Sequence, residues 1–527
     1  GIPPLTPDDL VKIEAEMAKI VKEDQKSRRV EITRSDAANL FANNKFKLEL
    51  IAEIPEGEHS VYYSGSNWCD LCRGPHLAST GLIKAFKLTK VSSSYWRADS
   101  AKDQLQRIYG ISFPEKKMLD EYLKRLEEAE KRDHRKLGVQ LGLFMFHEWS
   151  PGSPFILPKG TIIYNELLSY LRQEYIKRGY DEVITPQLFN KELWNQSGHW
   201  EYYKNDMFIL PVDDTEFALK AMNCPSHMLM YNATRHSYRD LPLRIADFCM
   251  LHRNELRGVL GGMTRVRKFS QDDSHIFCTP EQVGPEIDAL VDFVRFVYVD
   301  TFHFTFRAKL STRPEKFMGE PSQWDTAEKY LEEALKRNGL PFEVKPGEGA
   351  FYGPKIDVDV RDALGRNWQL ATIQVDVQMP RRFNCVYEGA DGKKHPVVVL
   401  HRAIIGSFER FLAILTENYA GKFPLWLSPV QVTLLAVSDP YNEYAESLAQ
   451  KMRLSGIRAE ANCKQETIGA KIRDSQLLKI PYMLVVGQKE KESGNLAVRT
   501  RDGKVEESVP LHDFISKVKR EIDTRSV

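Results

Sequence analysis

From Phe248 to Phe277 the chain reads FCMLHRNELRGVLGGMTRVRKFSQDDSHIF, the stretch richest in side chains that could do chemistry. Arg253 and Glu255 stand two apart on what reads as a strand, so both side chains would project from one face. Gly258, Gly261 and Gly262 follow, and then Arg265, Arg267 and Lys268. Guanidinium forks, a carboxylate and a glycine-rich loop suit a polyphosphate, because arginine pairs bidentately with phosphate oxygens. An isolated Arg-x-Glu is more often a salt-bridged hairpin on a charged surface, so the pair alone does not decide. Cys72 and His76 invite reading as half of a zinc site. Cys224, His275 and His401 lie 51 and then 126 residues apart, far from any compact zinc signature. Spacing alone leaves them as core or surface residues.

The elements that must position these residues fall into four stretches. At 527 residues the chain is too long for one core, and two to four domains are expected. Residues 1–113 mix short strands and helices. A helix is expected near Thr6, where Pro7 follows a capping residue, and the alternating Lys45–Ile54 reads as a strand. Residues 114–138 read as a linker helix. Met118, Leu119, Tyr122, Leu123, Leu126 and Ala129 form its apolar stripe, and Gly138 is placed to close it. Residues 139–427 carry strand candidates Leu243–Met250, Lys355–Val360, Trp368–Val377 and Val397–Leu400 between long helices, an α+β domain around an antiparallel sheet. From 428 to 527, apolar strands (430–437, 482–486) alternate with helices (441–454, 470–478), a small α/β domain with a mixed sheet.

Bulk composition excludes little. The chain is 42% hydrophobic and 28% charged, with a net charge of +1, which neither demands nor forbids an RNA partner. No apolar run reaches the roughly 18 residues of a membrane span, and no secretory signal is visible. Seven cysteines argue for a reducing compartment, cytoplasm by default, with an organelle matrix the alternative.

Three stretches in order resemble the motifs of class II aminoacyl-tRNA synthetases, and among them those of the threonyl-tRNA synthetase family. Gly179–Trp200 resembles motif 1, the dimer seam. Arg253-Asn254-Glu255 resembles motif 2, and His401–Phe411 (HRAIIGSFERF) resembles motif 3. The resemblance implies an ATP site. Arg253 would grip the α-phosphate, Glu255 the adenine edge, Arg265 a further phosphate and Arg410 the γ-phosphate, with Phe269 stacking on adenine. Gln369 and Thr372, in WQLATIQVD, would contact ATP, and Lys355, in AFYGPK, would lie near the reacting groups. Arg253, Arg410 and Lys355 are the expected catalytic residues.

The same resemblance brings Cys224, His275 and His401 to one Zn²⁺ per subunit. Three protein ligands leave a position open for substrate. Met222, Asp273, Tyr352 and Gln374 would surround L-threonine, with Asp273 accepting a hydrogen bond from its hydroxyl. The implied activity is ligation of threonine to tRNA(Thr) using ATP with Mg²⁺, by a homodimer joined through the catalytic domain and without a membrane. A synthetase-like paralogue without ligation, or a zinc hydrolase of aminoacyl-tRNA, are the competing readings.

Residues 1–113 resemble part of the family's editing domain. Asp70, Cys72 and His76 match one half-site, and Tyr95–Ser100 and Gln106–Gly110 match stretches that follow it. The other half-site, a His-x-x-x-His pair, would precede residue 1, so poor hydrolysis of seryl-tRNA is expected. Residues 428–527 resemble an anticodon-binding domain, with Arg473, Glu490 and Arg499 as candidate readers of splayed bases.

Overall fold

A computed structural model describes residues 3–66, 68–99 and 101–526. Ser100, the end of the Tyr95–Ser100 match, lies outside the described residues. The chain divides into two compact units, 1–128 and 129–527. The division falls inside the helix Lys116–Arg132, not at either end of the expected 114–138 linker. That linker is two helices, since the Asp133 side chain accepts from Arg135 N and starts a second one, His134–Gln140. Gly138 does not close it. It is buried within the second helix, where a Cβ would stand 2.3 Å from the Phe144 ring.

The first unit holds the helix Pro7–Lys22, with Thr6 and Asp9 forming the expected cap. It also holds a three-stranded antiparallel sheet (Ser27–Glu31, Ser60–Ser64, Trp68–Leu71) and a ribbon of Ala85–Tyr95 with Gln104–Phe113. Lys45–Ile54 is not a strand: Lys45–Glu53 is helical. Asn44 caps it by accepting from Lys47 N. The apparent alternation misleads, because Leu50 ends 39% exposed while its neighbour Ile51 is the buried residue.

The second unit is built on a nine-stranded sheet. Eight strands run in the order Phe342–Lys345, Thr305–Ser311, Lys355–Arg361, Asn367–Asp376, Val398–Ser407, Lys268–Cys278, Leu243–Asp247 and Asp181–Glu182, and Met250–His252 pairs separately with Lys268–Cys278. All pairings are antiparallel except the outermost one at each edge, which is parallel. Helices Pro158–Lys177, Val283–Arg295, Pro321–Arg337 and Phe408–Asn418 bury their apolar faces in the main core. The expected strand 243–250 is broken, because the Asp247 carboxylate accepts from Cys249 N and turns the chain. Within the motif 1 stretch, Asp181 and Glu182 pair with Ile245 and Ala246, and Val183 N donates to Ala246 O at 2.8 Å. Arg253 and Glu255 lie beyond the end of Met250–His252, so they share no strand face. Glu255 N donates instead to Arg253 O at 2.9 Å in a tight turn.

The C-terminal part has its own core and a five-stranded mixed sheet. Its order is Ala459–Asn462, Val432–Ala436, Tyr482–Val486, Asn495–Thr500 and Val505–Pro510, parallel across the first three and antiparallel thereafter. Among the described residues, no helix is long and apolar enough to cross a membrane.

Candidate active site and metal centre

Three neighbouring strands, Asn367–Asp376, Val398–Ser407 and Lys268–Cys278, present alternate residues to one cavity of about 220 Å³. Strand pleating puts every second side chain on the same face. Gln271, Asp273 and His275 come from one strand, Thr372 and Gln374 from the second, and His401 and Ala403 from the third. His401 is the direct cross-strand partner of both His275 and Gln374. Met222 and Cys224 enter from the start of the helix Cys224–Tyr231, and Tyr352 and Arg253 close the wall. The Tyr352 turn sits tightly on the sheet. A Cβ at Gly353 would stand 2.1 Å from Val375 O, and Gln374 Nε2 donates to Gly353 O at 3.0 Å.

Cys224, His275 and His401 are all buried, with their ligand atoms within 4.8 Å of one another. His275 Nε2 lies 2.9 Å from His401 Nδ1. Each ring's other nitrogen has a separate partner. His401 Nε2 lies 2.9 Å from Asp376 Oδ2, whose companion Oδ1 accepts from the N–H groups of Gln378 and Met379. With Asp376 Oδ2 as the acceptor, His401 carries its proton on Nε2, which leaves a lone pair on Nδ1. His275 Nδ1 is 2.7 Å from His227 Nδ1, and donating there leaves a lone pair on Nε2. Two lone pairs then face each other beside a thiol. That arrangement suits a borderline-soft cation such as Zn²⁺. Burial pushes the Cys224 thiol above its usual range and holds His275 well below its usual value, so the imidazole is neutral.

A second group of potential ligands, Asp133, His134 and Glu417, has no donor to spare. His134 Nδ1 lies 2.6 Å from Glu417, its Nε2 accepts from Met263 N, and Arg135 and Arg366 occupy the carboxylates.

The phosphate-binding candidates adjoin the cavity at Arg253. Its guanidinium lies 5.1 Å from the centre of the Phe269 ring. Arg265 pairs with Glu255 at 3.0 Å. Arg410 donates to Thr264 O at 2.8 Å and to Gln369 O at 3.1 Å. It is aimed by a positive φ of 72° at Gly406 and by Ser407, whose hydroxyl accepts from Arg410 N and caps the helix. Burial, together with the like charges of Arg253 and Arg265, holds the Arg410 pKa below its ordinary value. Three guanidiniums that repel one another make a ready counter-charge for a polyphosphate.

Several residues at this site escaped the sequence reading. Gln271 could have been found, as it lies two and four residues before Asp273 and His275 on the same strand face. Asn223 donates to Asp273 Oδ2 at 3.0 Å and holds it in place. Asp357 gathers Lys355 Nζ (2.6 Å), Gln369 Nε2 (2.7 Å), Thr372 Oγ1 (3.2 Å) and Ser311 Oγ (2.9 Å). Lys355 therefore reaches the site through Asp357 and is not among the cavity's lining residues. His199 is buried, its pKa pushed down to about 3, with Nε2 3.0 Å from Met222 Sδ. No sequence motif pointed to these contacts.

In the first unit, Cys72 Sγ lies 3.2 Å from His76 Nε2, and the His76 ring stacks on Tyr62 at 3.9 Å. Asp70 pairs with Lys47 at 2.6 Å. His76 is exposed and Cys72 half-buried, beside a cavity of about 410 Å³. In the C-terminal part, Arg473 is exposed on the helix Ile468–Leu477, and Arg499 is half-buried on Asn495–Thr500. The Glu490 carboxylate accepts from Gly487 N. Among the described residues, no hydrogen bond or ion pair joins these three.

Comparison with known proteins matches three segments. Residues 206–419 match the family model described as tRNA synthetase class II core domain (G, H, P, S and T). Residues 431–521 match the anticodon binding domain, and 59–109 the threonyl and alanyl tRNA synthetase second additional domain. The threonine–tRNA ligase of Caldanaerobacter subterraneus subsp. tengcongensis is 50% identical over 526 residues, 99% of this chain and 82% of that protein. That of Clostridioides difficile is 50% identical over 523 residues, with the same coverage of both chains. A solved structure described as the RNA binding domain of threonyl-tRNA synthetase from Cryptosporidium parvum Iowa II is 45% identical. It superposes with a TM-score of 0.71, covering 74% of this chain and 98% of that one.

Proposed function

The chain belongs to the threonine–tRNA ligase family of class II aminoacyl-tRNA synthetases, and from that premise we propose how its residues divide the work. The observation that carries the reading is the meeting of Cys224, His275 and His401 in one cavity with Asp273 and Arg253.

Activation joins a threonine carboxylate oxygen to the α-phosphorus of Mg²⁺–ATP and breaks the bond to the β-phosphate, releasing pyrophosphate. Arg253 binds the α-phosphate, and Arg265 and Arg410 neutralise the departing charge. Phe269 and Glu255 hold the adenine, and Gln369, Thr372 and Lys355 position the nucleotide from the Asp357 hub. Catalysis here is positioning and charge stabilisation, so no general base or covalent nucleophile is required. A terminal ribose hydroxyl of tRNA(Thr) then attacks the carbonyl carbon and releases AMP.

Zn²⁺ held by Cys224, His275 and His401 would supply an open Lewis-acid position for the substrate's amino and hydroxyl groups. Asp273, fixed by Asn223, accepts from the same hydroxyl, while Met222, Tyr352 and Gln374 shape the remainder of the pocket. A site that reads a hydroxyl rejects an isostere lacking it by roughly 10⁴–10⁵. Serine keeps the hydroxyl, and its missing methyl is worth only ~1–3 kcal/mol.

The remaining assignments follow the same premise. Residues 1–113 act as an editing-type domain, 114–138 as linker, 139–427 as catalytic domain and 428–527 as reader of the anticodon through Arg473, Glu490 and Arg499. Ile184 (86% exposed) and Leu188 (40%) within motif 1, and Ile176 (76%) just before it, are exposed apolar side chains, which supports a homodimer through the catalytic domain. Seven unpaired cysteines support the cytoplasm.

Threonine-dependent exchange of pyrophosphate into ATP tests the reading. Metal-replete chain should catalyse it with threonine and not with valine, and absence of exchange would contradict it.

A further inference from the structure

A buried polar chain leads away from the proposed metal ligands into the core, and no step of threonine activation uses it. His227 Nδ1 lies 2.7 Å from His275 Nδ1, the two rings nearly perpendicular at 88°. Its opposite nitrogen, Nε2, faces Asp247 Oδ2 at 3.6 Å, an ion-pair distance too long for a hydrogen bond. Asp247 accepts from the Thr185 hydroxyl at 2.7 Å and from Cys249 N at 2.8 Å. Lys220 Nζ donates to Thr185 Oγ1 at 2.7 Å and stands 3.6 Å from Asp247. His227, Asp247 and Lys220 are each 0% exposed.

Burying a lysine, an aspartate and a histidine is costly, because desolvation commonly exceeds the Coulombic return of the pair. The direction of the hydrogen bonds gives the cluster a use. If His275 turns the lone pair of Nε2 toward Cys224 and His401, its Nδ1 carries the proton and donates to His227 Nδ1. His227 must then carry its own proton on Nε2, the nitrogen facing Asp247. Lys220 balances the Asp247 charge. His401 has the shorter version, with its Nε2 directly on Asp376.

We propose that His227 and Asp247 are positioning residues that fix the ring orientation and tautomer of His275 as a metal ligand. His227 does for His275 by direct contact what Asp376 does for His401, and Asp247 faces the far nitrogen of His227. This rests on the reading of Cys224, His275 and His401 as a zinc site. Groups that orient metal-bound imidazoles also raise their basicity, and losing them typically weakens metal binding by roughly 10–100-fold.

The test is Zn²⁺ affinity of the full chain by chelator competition, together with the absorption spectrum after Co²⁺ substitution. His227→Leu should bind zinc about 10–100-fold more weakly and shift the Co²⁺ bands. In His227→Asn the amide oxygen can still accept from His275 Nδ1, so most of the affinity should return. Asp247→Asn should fall between wild type and His227→Leu. Wild-type affinity in a folded His227→Leu overturns the proposal. If that variant does not fold, wild-type affinity in Asp247→Asn overturns it. A wild-type chain that takes up no zinc refutes the metal reading itself, a result distinct from zinc bound equally by wild type and variants.

Discussion

Each compact unit contains a cysteine sulfur within hydrogen-bonding or ligand reach of an imidazole, and the two settings differ in what surrounds the pair. In 129–527 the thiol meets two imidazoles on neighbouring strands, all three buried, and both rings have partners on their far nitrogens. In 1–128, Cys72 meets a single exposed imidazole, and His76 is held by stacking on Tyr62. Donor identity is similar, but the number of donors and the packing behind them are not. A metal site needs its ligands oriented before the ion arrives. The first setting provides that orientation and the second does not.

The largest expected effect comes from removing the buried thiol. Cys224→Ala should reduce discrimination of threonine over valine from roughly 10⁴–10⁵ to roughly 10², the level of an apolar pocket without hydroxyl recognition. Pyrophosphate exchange with each amino acid measures the ratio. An unchanged ratio would remove the distinction between the two settings. Next, Arg253→Ala should lower kcat for exchange by about 10²–10³, the usual loss for one charge-stabilising donor. A change in KM for ATP alone would make Arg253 a binding residue only.

A smaller effect concerns pH. Burial depresses the His199 pKa from its ordinary 6.5 to about 3, so between those values the unfolded chain binds the proton and the folded one does not. Its contribution to stability is therefore intact above pH 6.5 and declines as pH falls, with a slope approaching about 1.4 kcal/mol per unit. His199→Asn should flatten the loss of the urea midpoint between pH 6.5 and 5, and an unaltered pH dependence would contradict the assignment. The smallest effect belongs to the Cys72–His76 pair. Cys72→Ser should leave zinc content and exchange at wild-type values, and seryl-tRNA should persist with or without the substitution. Rapid deacylation by the wild-type chain, lost in Cys72→Ser, would show the second setting to be functional.

The division of fold and site into legible and hidden parts follows from physical range. The helix at Thr6, the core strands expected at 355–360 and 368–377 (355–361 and 367–376 in the structure) and the alternation of the C-terminal part are readable because caps and periodicity are local. Lys45–Ile54 mimics a strand through its alternating apolar residues, although the Asn44 cap of the helix Lys45–Glu53 is present in the sequence. Arg253 and Glu255 read as a strand pair in sequence because the turn that separates them depends on partners at Arg267 and Asp206, remote in sequence. The metal trio was visible only through resemblance, since antiparallel register alone brings residues 275 and 401 together. The roles of Asn223, His227, Asp247, Asp357 and Asp376 stay hidden for the same reason: each acts on a neighbour supplied by tertiary contact, even where, as for Asn223 and Asp376, the residue lies within or beside a matching stretch.

X-ray absorption at the zinc edge tests the central claim most directly. The account predicts one zinc per chain with one sulfur and two imidazole nitrogens in its shell, a signal altered by threonine but not by valine and lost in Cys224→Ala. A zinc shell containing no sulfur, or one indifferent to threonine, would contradict it.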